Sequence, residues 1–425
     1  MKKIILLVGA VIALMLVFPK FMQLSVERDL NAVVDAVNSS EAETGYSLTL
    51  RNFNSGWFSS TAEVYIEFDP YFVTGFDVLG DVLGVNVMLD LQYGPFLMLN
   101  GPGLGRLAFQ AYLDQSLARE ILTYPEEKSL YQLEGQINLW GAISYRDSVP
   151  MVSSKDNTLS FGGWNGRADL TSSETTFEGQ ILSVSLEMGV GNLRLKPFSL
   201  KMNYQDAFQD IFAGRLVDTK TELIAGYLRV TNSVTNEALE LRNLSAGVFN
   251  ETNEDNQLMN FGFSLNVGEV ISSEYGAKEI VVRAELKNFD IATLQTVYMG
   301  GDYDLIAENS EQFLPLFTAS PEANVTEISA ITSQGLISGH LLTKLSGITS
   351  LPVNLGNPVF WLSKATIDAK LSLEEELVSW LLEEIALIDR SMLSQFATQR
   401  GDGTYELSFE LKDSEALLNG LPLAL

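Results

Sequence analysis

The feature that most constrains the fold is a two-residue alternation of apolar and polar side chains, which recurs from residue 46 onward. In one example Ala62, Val64, Ile66 and Phe68 are each separated by a single residue. Further copies span 85–91, 182–188, 198–204, 261–267, 280–286, 365–371 and 405–411. This pattern is typical of antiparallel sheet with one dry and one wet face. The sequence predicts a mainly β protein with some α (α+β), built from long, curved antiparallel sheets with a few packing helices.

The dry faces of these strands need cover. Two sheets can stack, or one long sheet can curl around an apolar interior, and the sequence leaves both arrangements open. Helical spacing predicts helices over 104–122, 208–216, 291–299 and 374–399. The last has glutamates in its first turn, where the helix dipole favours them, and Gly401 after its end.

The N-terminal residues resemble a membrane anchor. Lys2 and Lys3 precede an uncharged run from Ile4 to Phe18, and apolar character continues to Leu24. We expect a transmembrane signal anchor over 4–24, because bulky residues at 18–24 disfavour signal cleavage. The residues taken to face lipid are Ile4, Leu7, Val11, Leu14, Val17 and Phe18.

The anchor sets the expected topology. The two lysines keep residues 1–3 cytoplasmic by the positive-inside rule. The pattern predicts a linking helix over 25–40 and a periplasmic β-rich region over 41–425. We therefore expect a single-pass protein of a bacterial inner membrane with its bulk in the periplasm. Polar stretches near 145–160 and 300–326 are candidate subdivisions of that region.

Composition excludes several kinds of site. The formal net charge of −27 opposes binding to nucleic acid. There is no cysteine and one histidine, His340, so thiolate nucleophiles, disulfides and multi-histidine metal sites are impossible. Acidic loops at 251–255 and 302–311 lack the glycine and closing glutamate of a calcium loop. We expect no enzyme, no cofactor, no metal and no catalytic residue.

Three segments resemble a known group of proteins. They are Arg51–Ala62, which contains Gly-Trp-Phe-Ser-Ser, then Tyr93–Pro95, and Leu418–Gly420 near the C-terminus. With the anchor before them, they resemble the YdgA-like family of uncharacterised bacterial proteins. The positions that carry the resemblance are Gly56, Trp57, Phe58, Ser59, Ser60, Gly94, Pro95, Asn419 and Gly420. The resemblance implies inner-membrane attachment and a periplasmic body, and it implies no catalytic residue.

Two local patterns stay open to interpretation. Trp57 and Phe58 are either core residues or an exposed aromatic pair that touches a membrane. The triplets Arg51–Phe53, Arg242–Leu244 and Lys287–Phe289 share a basic-Asn-apolar pattern, which suggests structural duplication.

Strands with a single apolar face, together with a membrane anchor, favour a non-enzymatic protein that binds an apolar ligand or lipid, or maintains the envelope. The alternative is a structural scaffold in an inner-membrane complex. Expected partners are inner-membrane lipids through the anchor, an apolar ligand, and a second copy or an envelope protein.

Overall fold

A computed structural model of the chain describes most of its residues. The described residues are 18–28, 30–32, 34–35, 37–38, 45–68, 83–113, 118–206, 215–253, 255, 257–273, 275–300, 310–352, 354–384 and 397–423. The chain divides into two compact units, Met1–Ser185 and Leu186–Leu425. Each unit is described by itself.

The first unit is built on one antiparallel meander. Its strands are β1 Tyr46–Ser55, β2 Ser59–Phe68, β3 Leu83–Tyr93, β4 Phe96–Leu97, β5 Gly103–Leu104, β6 Leu107–Leu113, β7 Leu122–Thr123, β8 Gln132–Ile137, β9 Ile143–Val149, β10 Val152–Ser154, β11 Leu159–Phe161, β12 Trp164–Leu170, β13 Thr175–Ile181 and β14 Val184–Met188. Strands β1, β2, β3, β6, β8, β9, β12 and β13 pair in that order, each antiparallel to the next. The shorter strands pair separately, β4 with β5 and β10 with both β7 and β11.

A helix packs along this meander. We call this helix α1; its described residues lie between 18 and 38, and all of them are helical. Met22, Val26 and Leu30 pack against a buried cluster of Leu91, Tyr93 and Leu107 from β3 and β6. The second helix of this unit, α2, is short and spans Ala118–Ile121.

The second unit contains longer strands. They are β15 Gly191–Tyr204, β16 Thr219–Asn232, β17 Ala238–Thr252, β18 Leu258–Ser272, β19 Gly276–Asp290, β20 Glu322–Thr332, β21 Gly335–Leu345, β22 Ala365–Glu374, β23 Thr398–Gln399, β24 Thr404–Lys412, β25 Glu415–Leu418 and β26 Leu421–Leu423. From β15 to β22 each strand pairs antiparallel with the next, and β22 then pairs with β24. The meander ends with β25 and β26, while β23 pairs with β24.

Helices occupy both ends of these strands. At one end lie α3 Ile291–Gly300, a 3₁₀ turn Ser310–Phe313, α4 Leu314–Thr318 and α5 Pro358–Leu362. Helix α6, Glu375–Glu384, follows β22 at the other end, where Trp380 meets the Tyr275 ring at 5.3 Å. Leu411 and Ala365 anchor a buried cluster that Leu362 of α5 covers.

The predicted antiparallel, mainly β fold is confirmed. The helix over 291–299 is confirmed as α3, and the linking helix corresponds to described residues of α1. The helix over 104–122 is wrong, because Leu107–Leu113 forms strand β6 and only Ala118–Ile121 is helical. The helix over 374–399 is too long, since Thr398–Gln399 is a strand, and the segment 208–216 lies mainly outside the described residues.

Most of the predicted anchor also lies outside the described residues, which begin at Phe18. Pro19 and Gln23, which belong to the predicted span 4–24, are almost fully buried in the protein. Among the helices that the structure describes, none has the length and apolar character needed to cross a bilayer.

Candidate functional site

Three connections of the first unit lie at one end of its strands. They are residues 56–58 between β1 and β2, 94–106 between β3 and β6, and 138–142 between β8 and β9. Their proximity follows from the register, because Tyr93 pairs with Leu107 and Leu107 pairs with Ile137. We call these connections the loop end.

The loop end brings together residues that the sequence singled out. The Gly56 N–H donates to the Ser59 carbonyl at 2.8 Å, and a Cβ at Gly56 would lie 2.7 Å from that oxygen. The Tyr93 N–H donates to the Phe58 carbonyl at 2.8 Å, so the first connection lies beside the second. Asn419 and Gly420 instead form the β25–β26 turn of the other unit, both with positive φ.

Backbone hydrogen bonds hold the second and third connections. Gly94 N–H donates to the Arg106 carbonyl at 2.8 Å, and Gly105 N–H donates to the Pro95 carbonyl at 3.1 Å. The Arg106 Nε donates to the Leu139 carbonyl at 2.9 Å, which joins the two connections. These bonds define a fixed platform for the side chains that project from it.

Large apolar side chains project from the loop end into solvent. They are Trp57, Phe58, Phe96, Met98, Leu104 and Trp140, with exposed fractions between 49% for Phe58 and 83% for Trp140. Of the two interpretations left open for Trp57 and Phe58, the structure shows the exposed pair. Segments 56–58, 94–105 and 138–142 contain no charged residue, although 19% of the chain is charged. That local absence of charge is the sequence signal that could have identified the other members.

A second candidate surface covers one face of the second unit. Directly paired residues of an antiparallel sheet share a face, so the register traces apolar rows across the strands. One row is Leu200, Leu223, Ala246, Leu265, Val282, Ile328, Gly339, Leu371 and Leu407. The next is Met202, Thr221, Val248, Phe263, Ala284, Val325, Leu341, Ala369, Phe409 and Leu418. We call this surface the apolar face.

In each of the strands β15–β19 a residue interrupts the pairing with the neighbouring strand. These residues form a line across the sheet, and the apolar face continues on both sides of it. The residues on this line are Pro197, Gly226, Asn243, Gly268 and Glu279. Asn243 and Glu279 have φ of 53° and 51°, a left-handed conformation that breaks strand alternation. Beyond the line the apolar positions shift by one residue and form the row Leu195, Leu228, Leu241, Val270 and Ala277.

The pairing of β19 with β20 places this shifted row on the apolar face as well. Ala277 pairs with Thr332, which lies four residues from Ile328 in β20. Because residues an even number apart in a regular strand share a face, the row joins the apolar face. Strands of 14 to 15 residues make the face about 45 Å long at ~3.3 Å per residue.

The apolar face contains a furrow. Gly339 and Ala369 form its floor, and Ile328, Leu341 and Phe409 rise beside it, around a cavity of about 210 Å³. Val248, Phe263, Ile328 and Leu341 on the apolar face are 38% to 50% exposed. Apolar area left open to solvent in this way marks an interaction surface.

The opposite face of the same sheet is mostly polar, although it also carries exposed apolar residues such as Ile224, Ile331 and Leu342. One of its rows is Lys201, Glu222, Gly247, Ser264, Arg283 and Glu327. Arg242 pairs with Glu269 at 2.9 Å, and Lys370 pairs with Glu406 at 2.9 Å. Hydrogen bonding to Lys370 lowers the pKa of the Glu406 carboxyl. The charged side chains on this face are suited to contact with water. The sheet therefore has one drier and one wetter face, as the sequence predicted.

Among the described residues, the pKa shifts of Tyr131 and Asp156 move both groups further from neutral pH. Burial, with the Asp147 carboxylate nearby, raises the pKa of Tyr131 to about 12. Hydrogen bonds from Ser154 and Thr158 lower the pKa of Asp156 to about 2. General acids and bases work best with a pKa near the working pH, and these shifts move groups away from it.

His340 lies on β21, on the polar face opposite Lys370, with its Nε2 3.5 Å from an oxygen of Asp368. Within the described residues no group of three or more His, Asp or Glu could hold a metal ion. Loop 302–311 lies mostly outside that part of the chain.

Comparison with known proteins yields a match to a family model. The family is described as "Bacterial protein of unknown function (DUF945)", and the match covers residues 1–425. No curated protein and no solved structure matches the chain.

Proposed function

The chain belongs to this bacterial family of unknown function, and we propose that it binds the acyl chains of lipids, without catalysing a reaction, on the apolar face of the Leu186–Leu425 unit. The observation that carries the proposal is the continuity of the apolar rows across the register of β15–β25. A polar face on the other side of the same strands makes the sheet bind on one side only.

The shape of the apolar face supports an acyl chain as the occupant. Gly339 and Ala369 lack bulk, whereas Ile328 and Phe409 stand beside them, so the surface is furrowed and not flat. A narrow apolar furrow matches a chain of methylene groups, each of which contributes about 0.8 kcal/mol when it leaves water. Binding sites for such ligands are generally concave and mostly apolar.

Leu341 and Leu342 provide a matched pair to test this proposal. They are adjacent in β21, 41% and 37% exposed, and point to opposite faces. Leu341→Asp places a charge on the apolar face, and we expect it to weaken binding of a fluorescent long-chain fatty acid by about tenfold. Leu342→Asp places the same charge on the polar face, and its affinity should match that of the unaltered chain.

Equal affinities for the two variants, measured by fluorescence titration of the purified chain, would contradict the proposal. Sedimentation of the same samples identifies the competing occupant. A dimer that Leu341→Asp dissociates and Leu342→Asp preserves would assign the apolar face to a second copy, in place of lipid.

We also propose that a signal anchor over residues 4–24 holds the chain in the inner membrane, with residues 1–3 in the cytoplasm and the remainder in the periplasm. Lys2 and Lys3 before an uncharged run support this orientation. In intact cells protease should spare the protein, and in spheroplasts it should digest everything beyond the anchor. Resistance of the body in spheroplasts, with digestion only after lysis, would reject the orientation.

The Gly-Trp-Phe-Ser-Ser block at Gly56–Ser60 supports a narrower placement among the YdgA-like proteins. An alignment of relatives in which that block is not shared would reject this placement.

A further inference from the structure

The direction of α1 relates the N-terminal segment to the loop end. Near its middle, α1 packs on Tyr93 and Leu107, which end β3 and begin β6 at the loop end. At its far end, Asn38 exchanges two hydrogen bonds with the backbone of Leu48, at 2.7 and 2.9 Å. Leu48 lies near the start of β1, away from the loop end.

Distances along the elements place Phe18, the first described residue of α1, at the loop end. From Leu48 to Ser55 at the tip of β1, seven steps of ~3.3 Å cover about 23 Å. From Asn38 back to Phe18, twenty helical steps of ~1.5 Å cover about 30 Å. Phe18, which directly follows the apolar run of residues 4–17 in the sequence, therefore lies level with the loop end or beyond it.

We propose that the loop end is a membrane-docking surface, which inserts Trp57, Phe96, Met98 and Trp140 into the interfacial layer of a lipid bilayer. This proposal is independent of acyl-chain binding on the other unit. It concerns how the first unit is held against a membrane.

The chemistry of the loop end matches a bilayer interface. Tryptophan is enriched where hydrocarbon meets head groups, and the loop end carries two exposed tryptophans. A protein with a net charge of −27 is repelled by anionic lipids over most of its surface. The three connections contain no acidic residue, and their single charged residue is the cation Arg106, so this repulsion does not apply to them.

Neighbouring connections show that this surface is local. The β12–β13 turn, residues 171–174, reads Thr-Ser-Ser-Glu and is exposed and polar. Met151, 68% exposed, lies at the opposite end of the strands, after β9. It matches Met98 of the loop end, which is 66% exposed.

The absence of cysteine allows one site at a time to be labelled in the full chain. Met98→Cys and Met151→Cys each receive a nitroxide spin label, and the full chain is reconstituted in phosphatidylcholine vesicles. Collisions with oxygen, which concentrates in lipid, are compared with collisions with a water-soluble nickel chelate. We expect the ratio to shift toward oxygen at position 98 and toward the chelate at position 151.

Chelate-dominated collisions at both positions would overturn the proposal. Dipolar broadening between labels at position 98 would also overturn it, because a second copy would then cover the loop end. Leu104→Cys, 59% exposed in the same connection, repeats the test if Met98→Cys fails to fold. Circular dichroism of each labelled chain confirms that the fold is retained.

Discussion

Gly94→Ala is expected to destabilise the Met1–Ser185 unit by about 3 kcal/mol. A Cβ at this position would lie 1.6 Å from the Gly105 carbonyl oxygen and 2.8 Å from its carbon. Both are backbone atoms, so no side chain can rotate away. Relief requires the strand ends to separate, which lengthens the bonds from Gly94 to Arg106 and from Gly105 to Pro95.

The measurement is thermal unfolding combined with hydrogen exchange, which reports each unit separately. For a unit of this size the expected loss lowers the midpoint by about 10 °C. Gly103→Ala is the matched control in the same connection, because its Cβ would meet only the Gln136 Oε1, at 3.4 Å. Similar midpoints for the two variants would show that the connection adjusts freely and that its backbone bonds do not define it.

Leu411→Ala is expected to destabilise the Leu186–Leu425 unit by about 3 kcal/mol. Leu411 is fully buried and packs with Ala365, Ala416 and Leu362 at the helix-covered end of the apolar face. Its neighbours Ala365 and Ala416 are too small to fill the space that truncation leaves. The loss therefore combines the transfer of a buried side chain with the cost of a cavity.

Denaturant unfolding followed by hydrogen exchange in β22 and β24 measures this loss. Leu411→Met keeps most of the volume and should cost less than about 1.5 kcal/mol. Leu336→Ala, at a position 41% exposed, should cost less than Leu411→Ala. If all three variants have the same free energy of unfolding, the buried cluster does not stabilise this end of the sheet.

The alternating copies found in the sequence correspond to β2, β3, β14, β15, β18, β19, β22 and β24, but they did not include β16, β17, β20 or β21. The prediction also failed at β6, where Leu107, Ala108 and Ala111 are all buried. In β6 the residues Leu107, Phe109, Ala111 and Leu113 alternate with Ala108, Gln110 and Tyr112, and the second set carries the half-buried polar side chains. The helix was predicted because Leu107, Tyr112, Leu117 and Ile121 also fall roughly at helical spacing, so the two periods overlap in this segment.

The basic-Asn-apolar triplets have a structural explanation other than duplication. Asn243 and Asn288 have φ of 53° and 64°, and the third triplet coincides with a register shift between Leu50 and Asn52 of β1. Asparagine tolerates the left-handed conformation better than most residues. The triplets therefore mark interruptions of long strands, including the line that crosses β15–β19.

The sequence by itself determined that the protein is an antiparallel β protein with a dry and a wet side to its long strands, because the pleat that separates neighbouring side chains is a local property. Only the tertiary structure decided that separate connections meet at one loop end, and that apolar residues from β15 to β25 align in rows. Both depend on the order and register of strand pairing, which arise from contacts between residues far apart in the chain.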